Sequence, residues 1–385
     1  MRVYLAQIPA VKVVEAPRLY DNIEADPRPP ALSIVICTLD EHEAIAQVLS
    51  ELGEHLQGIH HEIIVVDDSP DERTADAVNA YACGDPRIRL MRRYHASGLS
   101  SAAINGWDVA KGQYLAIMDG DGQHDPSLIK ALLDRLANRD IDIVVASRYL
   151  DDARSGLGGV RHSMSRAGIW LTGNTLGVPL ADPLSGCFAM TRDWYVQVRN
   201  QLSGLGFKIL IDVVASGQRR PRATQIPTLL RPRAGGVSKL DTRVIVDLLT
   251  LLIEKRSRGR FRAKAMMRGV AVLATLVTQW LAAGVLLALA APLWTSMLLS
   301  AGFGLAGRLG TDYLITSRSL RPHTLRDFMQ HCCAYCVKRW SDVPLNAAIT
   351  IPLCTSHCPW PLAVIAGVLL AEARYLAGGK TRATA

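Results

Sequence analysis

The sequence has no phosphate-binding loop of the form G-x-x-x-x-G-K-[ST], which excludes a Walker-type nucleotidase. It has no uninterrupted apolar stretch near its start. Arg2, Gln7 and Lys12 break any such core, so no secretory leader is expected and the part before residue 255 is expected to stay in the cytoplasm. Cys37, Cys83 and Cys187 are scattered, the usage of a reducing compartment rather than of a disulfide scaffold. The cluster Cys332-Cys333-x-x-Cys336 with Cys354-x-x-x-Cys358, near His331 and His357, has zinc-like spacing. The sequence around it is apolar and membrane-like, which favours small helix-packing residues over a metal.

What is present points to a membrane. The chain has 385 residues, enough for one large domain and something else, and a net charge of +8. A basic protein of this kind meets nucleic acid or an anionic membrane. Here Lys255, Arg256, Arg258, Arg260, Arg262, Lys264 and Arg268 sit directly before the long apolar stretch 266–290, a juxtamembrane pattern, so no nucleic acid is expected. Residues 1–30, with Asp26-Pro-Arg-Pro-Pro30, read as an extended N-terminal segment.

The chemistry centres on Tyr114-Leu-Ala-Ile-Met-Asp119-Gly-Asp121-Gly-Gln123-His-Asp125-Pro126. The apolar run 114–118 predicts a buried strand ending in two carboxylates. Gly120 and Gly122 permit a tight turn, and Pro126 suits the first turn of a helix. Asp119, Asp121 and Gln123, spaced by two, can converge on a hard cation, Mg²⁺ or Mn²⁺, that keeps open positions for substrate phosphates. A calcium loop also starts D-x-D, but its sixth and twelfth positions here are His124 and Lys130 instead of Gly and Glu. The plainer alternative is an acidic strand-to-helix loop capped by Asp125.

Around that stretch, strands alternate with helices. Leu32–Cys37, Glu62–Val66, Ile88–Met91, 114–118 and 141–148 read as strands, and 41–56, 73–83, 98–110 and 127–138 as helices. This predicts an α/β fold, a doubly wound and mostly parallel sheet. Three strand ends carry polar groups: residues 38–41, Asp67 with Asp68, and 119–123. Further on, 161–176 and 206–216 read as helices and 224–230 as a strand. The last leads into Arg233-Ala-Gly-Gly236-Val-Ser238-Lys239, where glycines and cations suit close approach to a phosphate. Asp241–Glu254 is amphipathic and reads as an interfacial helix.

The remainder reads as an all-α membrane domain. Residues 266–290, 295–315, 343–356 and 361–376 are apolar, the third short for a span. Positive charge clusters before 268, at 318–339 and at 374–382, while the breaks at 291–294 and 356–360 carry none. Four spans with both ends cytoplasmic are therefore expected. The organisation expected is an N-terminal segment (1–30), an α/β domain (31–240), an interfacial helix with a basic linker (241–264) and a transmembrane domain (265–378). Four small spans favour a homo-oligomer.

The runs Glu62-Ile-Ile-Val-Val-Asp67-Asp68, Met118-Asp-Gly-Asp-Gly-Gln-His124, Ala146-Ser-Arg148-Tyr149, Ser185-Gly-Cys-Phe188 and Gly235-Gly-Val-Ser-Lys239-Leu240 together resemble polyprenol-phosphate glycosyltransferases. These are family 2 transferases of the GT-A fold, similar to dolichol-phosphate mannose synthase, and some carry a four-helix membrane anchor. The resemblance covers residues 32–256. It implies sugar transfer from a nucleotide-diphosphate sugar to a polyprenyl phosphate (undecaprenyl or dolichyl). It implies metal and diphosphate binding by Asp119, Asp121 and Gln123, and a catalytic centre of Asp119, Asp121 and Arg148. It implies donor contacts from Thr38, Glu41, Asp67 and Asp68, and acceptor-phosphate contacts from Arg148, Arg161, Ser165, Arg233 and Lys239. The location implied is the bacterial inner membrane with the catalytic domain in the cytoplasm.

One departure stands out. The family's usual P-T-Y-N-E is here Cys37-Thr38-Leu39-Asp40-Glu41, so the ring that would stack on a base is absent and the donor is left unnamed. Processive polysaccharide synthases share the sheet but carry Q-x-x-R-W, which neither Gln218-Arg-Arg-Pro221 nor Lys338-Arg-Trp340 supplies. A scaffold or lipid-translocation partner with a dead transferase domain is the non-enzymatic alternative, against which the intact Asp119, Asp121 and Gln123 set argues.

Overall fold

The structure is a computed structural model that describes residues 12–13, 28–93, 98–138, 140–150, 169–177, 180–232, 242–312 and 325–381. The described chain divides into two compact units, one up to Ala263 and one from Lys264 onward.

The first unit is built on one eight-stranded sheet. Its strands are β1 (Lys12–Val13), β2 (Leu32–Thr38), β3 (His61–Asp67), β4 (Ile88–Arg92), β5 (Tyr114–Asp119), β6 (Ile143–Ser147), β7 (Phe188–Thr191) and β8 (Ala223–Pro227), in the order β1-β4-β3-β2-β5-β7-β6-β8. β2 pairs in parallel with β3 and β5, β3 with β4, and β6 with β8. β7 runs antiparallel between β5 and β6, so β5 and β6 point the same way and end on one edge. This is the mostly parallel GT-A sheet expected from the sequence.

Strands buried on both faces need unbroken apolar runs. β3 is buried along its whole length, and β2 except at Cys37. The helices α1 (Ile45–His55), α2 (Arg73–Ala82), α3 (Leu99–Val109) and α4 (Ser127–Leu136) cover the sheet. On α1, Ile45, Val48, Leu49 and Leu52 form the expected stripe and are buried. The helix starts four residues later than expected, because Asp40 takes a left-handed φ of 58° and residues 42–44 form turns. Short-chain polar residues such as Asp tolerate that conformation. On the other face Trp107 of α3 meets Phe188 and Tyr195 edge-on at 5.9 and 5.5 Å, each contact contributing about 0.5–1.5 kcal/mol beyond area burial. β8 ends at Pro227, three residues before the expected end, level with Ser147 where its partner β6 also ends.

Helix α5 covers 169–176. α6 (Arg192–Val198) and α7 (Ile209–Ala215) complete the domain. Helix α8 (Thr242–Arg256) packs on α7: Leu251 and Leu252 are buried against Ile211, with Leu171, Leu176, Leu184 and Leu248 around them. The Lys255 ammonium reaches the buried Asp212 carboxylate at 2.6 Å. Leu249 and Ile253 lie on the other side of α8 and are exposed.

The second unit has helices α9 (Ala263–Ala288), α10 (Leu293–Thr311), α11 (Leu325–Arg339), α12 (Asp342–Thr355) and α13 (Trp360–Thr381). Ala265–Ala288 and Trp360–Ala377 are long and apolar enough to cross a membrane. At about 1.5 Å per residue α12 is about 21 Å long, short of a core of about 30 Å. The polarity is inverted relative to the first unit. Leu273, Leu281, Val285, Leu362, Leu369 and Leu370 face outward. Inside, Gln279 and Asn346 exchange amide hydrogen bonds at 2.9 and 3.2 Å, and Glu372 accepts from both Arg308 and Arg339 at 3.1 Å. Apolar outside and paired polar groups inside is the pattern a lipid solvent selects.

Candidate active site

The carboxyl ends of β2, β3 and β5 share one edge of the sheet, where Cys37 is level with Asp119 and Thr38 with Asp67. Asp119 ends β5. Gly122 then takes φ 73°, a left-handed turn open to glycine, and the backbone N–H of Gln123 folds back to Asp121 Oδ1 at 3.1 Å. Asp125 accepts from the Ser127 N–H at 2.9 Å at the head of α4. The loop thus has the hydrogen bonds of an acidic strand-to-helix turn, and it carries Asp119, Asp121 and Gln123 in sequence past the end of β5.

Asp119 is held from above by the turn before β7. Gly186 packs on its carboxylate so closely that a Cβ there would lie 2.9 Å from Cγ and collide with Oδ2. Ser185 anchors that turn to β6 through the Ala146 carbonyl at 2.7 Å. Arg148, just past β6, donates Nε and Nη2 to the two oxygens of the buried Asp182 at 2.6 and 2.8 Å. A bidentate buried pair of this kind fixes the guanidinium plane.

Thr38 and the two aspartates at the end of β3 are occupied within the protein. Asp67 is fully buried and accepts from Thr38 Oγ1 at 2.9 Å and Ser69 Oγ at 2.5 Å, with Arg92 Nε at 3.3 Å. Burial pushes its carboxyl pKa up, against the hydrogen bonds from Ser69 and Thr38. Asp68 is paired bidentately with Arg93 at 2.7 and 2.5 Å and also accepts the Gly98 N–H. Burial likewise pushes it up, against Arg93. Glu41 opens the turn before α1, its carbonyl accepting from Ala44 and Ile45. Arg161, Ser165, Arg233 and Lys239 lie outside the described residues.

Four residues were not anticipated. Arg92 and Arg93 neutralise the β3 aspartates; the register of Asp67 opposite Arg92 was the signal, two arginines closing an apolar strand. His124 is buried, with Nε2 3.8 Å from Asp119 Oδ2. Burial brings its pKa down to about 4, opposed by Asp121, so the imidazole is neutral at pH 7. Lys208, at the head of α7, reaches the Leu184 carbonyl at 3.5 Å. Burial and then Arg148 push its ammonium pKa down, while Asp119 and Asp182 push it up, so it lies within the field of the site. A single Lys in the apolar run Phe207-Lys-Ile-Leu-Ile211 was its only trace in the sequence.

A hard cation fits this donor set. Among the described residues no three His, Cys, Asp or Glu side chains gather to hold a metal. Asp119, Asp121 and Gln123 carry the carboxylate and amide oxygens that a hard cation prefers. Mg²⁺ is commonly held by phosphate-transferring proteins through few carboxylates plus the substrate's own oxygens.

The sequence profile of Glycosyl transferase family 2 matches residues 33–198. A dolichol-phosphate mannosyltransferase of Saccharomyces cerevisiae is 32% identical over 202 residues, covering 50% of this chain and 73% of that protein. A dolichol-phosphate mannosyltransferase of Pyrococcus furiosus is 31% identical over 222 residues, covering 57% of this chain and 61% of that one. A dodecaprenyl-phosphate galacturonate synthase of Rhizobium johnstonii is 27% identical over 236 residues, covering 60% of this chain and 68% of that one. The chain thus spans less than two thirds of the Pyrococcus relative's length. The chain belongs to glycosyl transferase family 2.

Proposed function

We propose that this protein transfers a sugar from a nucleotide-diphosphate sugar to a polyprenyl phosphate at the cytoplasmic face of a membrane, with a divalent metal and with inversion at the anomeric carbon. The observation that supports the reading is the acidic turn Asp119–Gln123 at the carboxyl end of β5, on the sheet edge where the Arg148–Asp182 pair follows β6. The relatives' names supply the acceptor class, lipid phosphates of the dolichol and dodecaprenyl type. They differ in the sugar named, and Leu39 stands where the family's ring usually does, so the donor is to be found by experiment.

A phosphate acceptor is anionic at neutral pH and needs no strong base to attack the anomeric carbon. The tasks left to the protein are alignment and charge stabilisation. Asp119, Asp121 and Gln123 would hold Mg²⁺ or Mn²⁺, which supplies Lewis acidity at the leaving diphosphate. Asp182 fixes Arg148 so that its remaining N–H groups are presented to the acceptor phosphate, joined by Arg161, Ser165, Arg233 and Lys239. A single in-line displacement inverts the sugar.

The lipid acceptor requires contact with a membrane. The exposed Leu249 and Ile253 of α8, with Phe261 and the arginines around it, form an apolar and basic margin suited to an anionic surface. Of the four expected spans, α9 and α13 have the length and apolarity to cross a bilayer; the reading places the ends of this unit on the cytoplasmic side of the bacterial inner membrane.

Nucleotide release tests the metal role without the lipid. The solubilised protein, given Mn²⁺ and the matching nucleotide sugar, is expected to hydrolyse the donor slowly and to stop when EDTA is added. Hydrolysis that persists in EDTA would remove the metal from the account.

A further inference from the structure

Arg231 lies four residues past β8 and is tied to Gln123 in both directions. Its N–H donates to the Gln123 carbonyl at 2.8 Å, and Gln123 Nε2 donates to the Arg231 carbonyl at 3.3 Å. Its guanidinium then spans two other elements. Nη1 reaches Glu51 of α1 at 2.6 Å, and Nη2 reaches Asp125 of the β5–α4 loop at 2.7 Å. Glu51 is itself steadied by Gln47 at 2.8 Å, and the Arg231 hydrogen bond holds its carboxyl below the usual range.

We infer that Arg231 is a positioning residue for the Gln123 amide. This rests on the proposed metal site. An amide has one acceptor and one donor end, set about 120° apart on one carbon. With Nε2 directed at the Arg231 carbonyl, Oε1 is turned the other way, and Oε1 is the atom a hard cation takes. The backbone bond from Arg231 to the Gln123 carbonyl fixes the main chain that carries the amide. The two ion pairs fix the main chain of Arg231 in turn, one to the rigid helix α1 and one to the loop itself. Groups that orient a metal ligand in this way typically change metal affinity about 10- to 100-fold when removed. Their effect on folding is small here, since the Arg231 side chain is 39% exposed and half-exposed ion pairs stabilise little.

The test is Mn²⁺ binding, read by loss of the free-ion EPR signal, on the full chain in detergent with UDP or GDP present. Wild type, Arg231→Ala, Gln123→Ala, the double variant and Glu51→Gln are compared, with the thermal midpoint of each. Arg231→Ala is expected to weaken Mn²⁺ binding roughly 10-fold with little change in thermal midpoint. Glu51→Gln, which leaves Arg231 in place, is expected to weaken it less, in the same direction. The double variant is expected to bind no more weakly than Gln123→Ala alone, because Arg231 acts through the amide. Wild-type binding in Arg231→Ala and Glu51→Gln, or strictly additive losses in the double variant, would overturn the inference while leaving the metal site standing. No Mn²⁺ binding by the wild type would overturn both.

Discussion

Gly186 and Asp119 come from chain segments on either side of β6, yet the glycine rests directly on the carboxylate, and a Cβ at residue 186 would lie 2.9 Å from its Cγ. The contact sets where the Asp119 oxygens stand. Gly186→Ala must displace them, and the Asp119 side chain, 32% exposed, has room to swing outward. The variant is therefore expected to fold with a near wild-type thermal midpoint while losing roughly 10²-fold in kcat/KM, the scale of a misplacement of about 1 Å at a reacting centre. Steady-state kinetics beside a thermal melt checks it. A variant with full activity would show that Asp119 tolerates a shift.

Arg148 and Asp182 behave differently because both are withdrawn from solvent. Removing one member of a buried pair leaves an uncompensated charge, a loss of about 3–5 kcal/mol. Asp182→Ala is expected to destabilise the first unit by that order in chemical denaturation. Arg148→Lys keeps the charge but not the two-pronged geometry. Its expected effect is a raised KM for the lipid acceptor with the donor KM little changed.

Much of this fold was legible because buried parallel strands need unbroken β-branched runs and their helices need a 3.6-residue stripe. The stretches Leu32–Cys37 and Glu62–Val66 and the stripe Ile45, Val48, Leu49 and Leu52 met those demands directly. The antiparallel β7 was visible only as a short strand after Gly186. Its direction depends on which neighbours it meets, which no local pattern encodes. The tight acidic turn at Asp119–Gln123 was legible because its glycines and carboxylates are neighbours in the chain. The site was not legible where partners are distant in sequence. Arg93 neutralises Asp68, 25 residues away, and Arg231 reaches Glu51 across 180 residues. Lys208 and His124 owe their properties to burial, which the local sequence does not carry.

Asp142 gives a dependence on pH. Burial would raise its pKa, but hydrogen bonds from Arg219 and Arg222 outweigh that and hold the carboxyl well below its ordinary value of 3.8. A carboxyl depressed in the folded state stabilises above its unfolded pKa and loses that contribution as pH falls through the window below it. The stability difference between wild type and Asp142→Asn is therefore expected to be constant from pH 7 to about 5 and to shrink below pH 4. Denaturant midpoints at pH 7, 5 and 3.5 check this; a difference that grows on acidification contradicts it.

Glu372 carries the corresponding weight in the second unit. It accepts from Arg308 and Arg339, both buried. Glu372→Gln leaves two guanidinium groups without their shared counter-charge. A loss of thermal stability in detergent is expected, larger than for Asp312→Asn, whose carboxylate is more exposed and is held by Tyr335. Equal losses in the two variants would show that Glu372 is not the centre of the network.

The most direct test of the central claim is transfer of radiolabel from a panel of nucleotide sugars to polyprenyl phosphate in membranes, with Mn²⁺, with EDTA, and with Asp121→Ala. The expected result is label in the lipid fraction from one donor, dependent on the metal and absent in the variant. No lipid label from any donor, with the protein folded and in the membrane, would contradict the assignment and favour a scaffold with an inactive transferase domain.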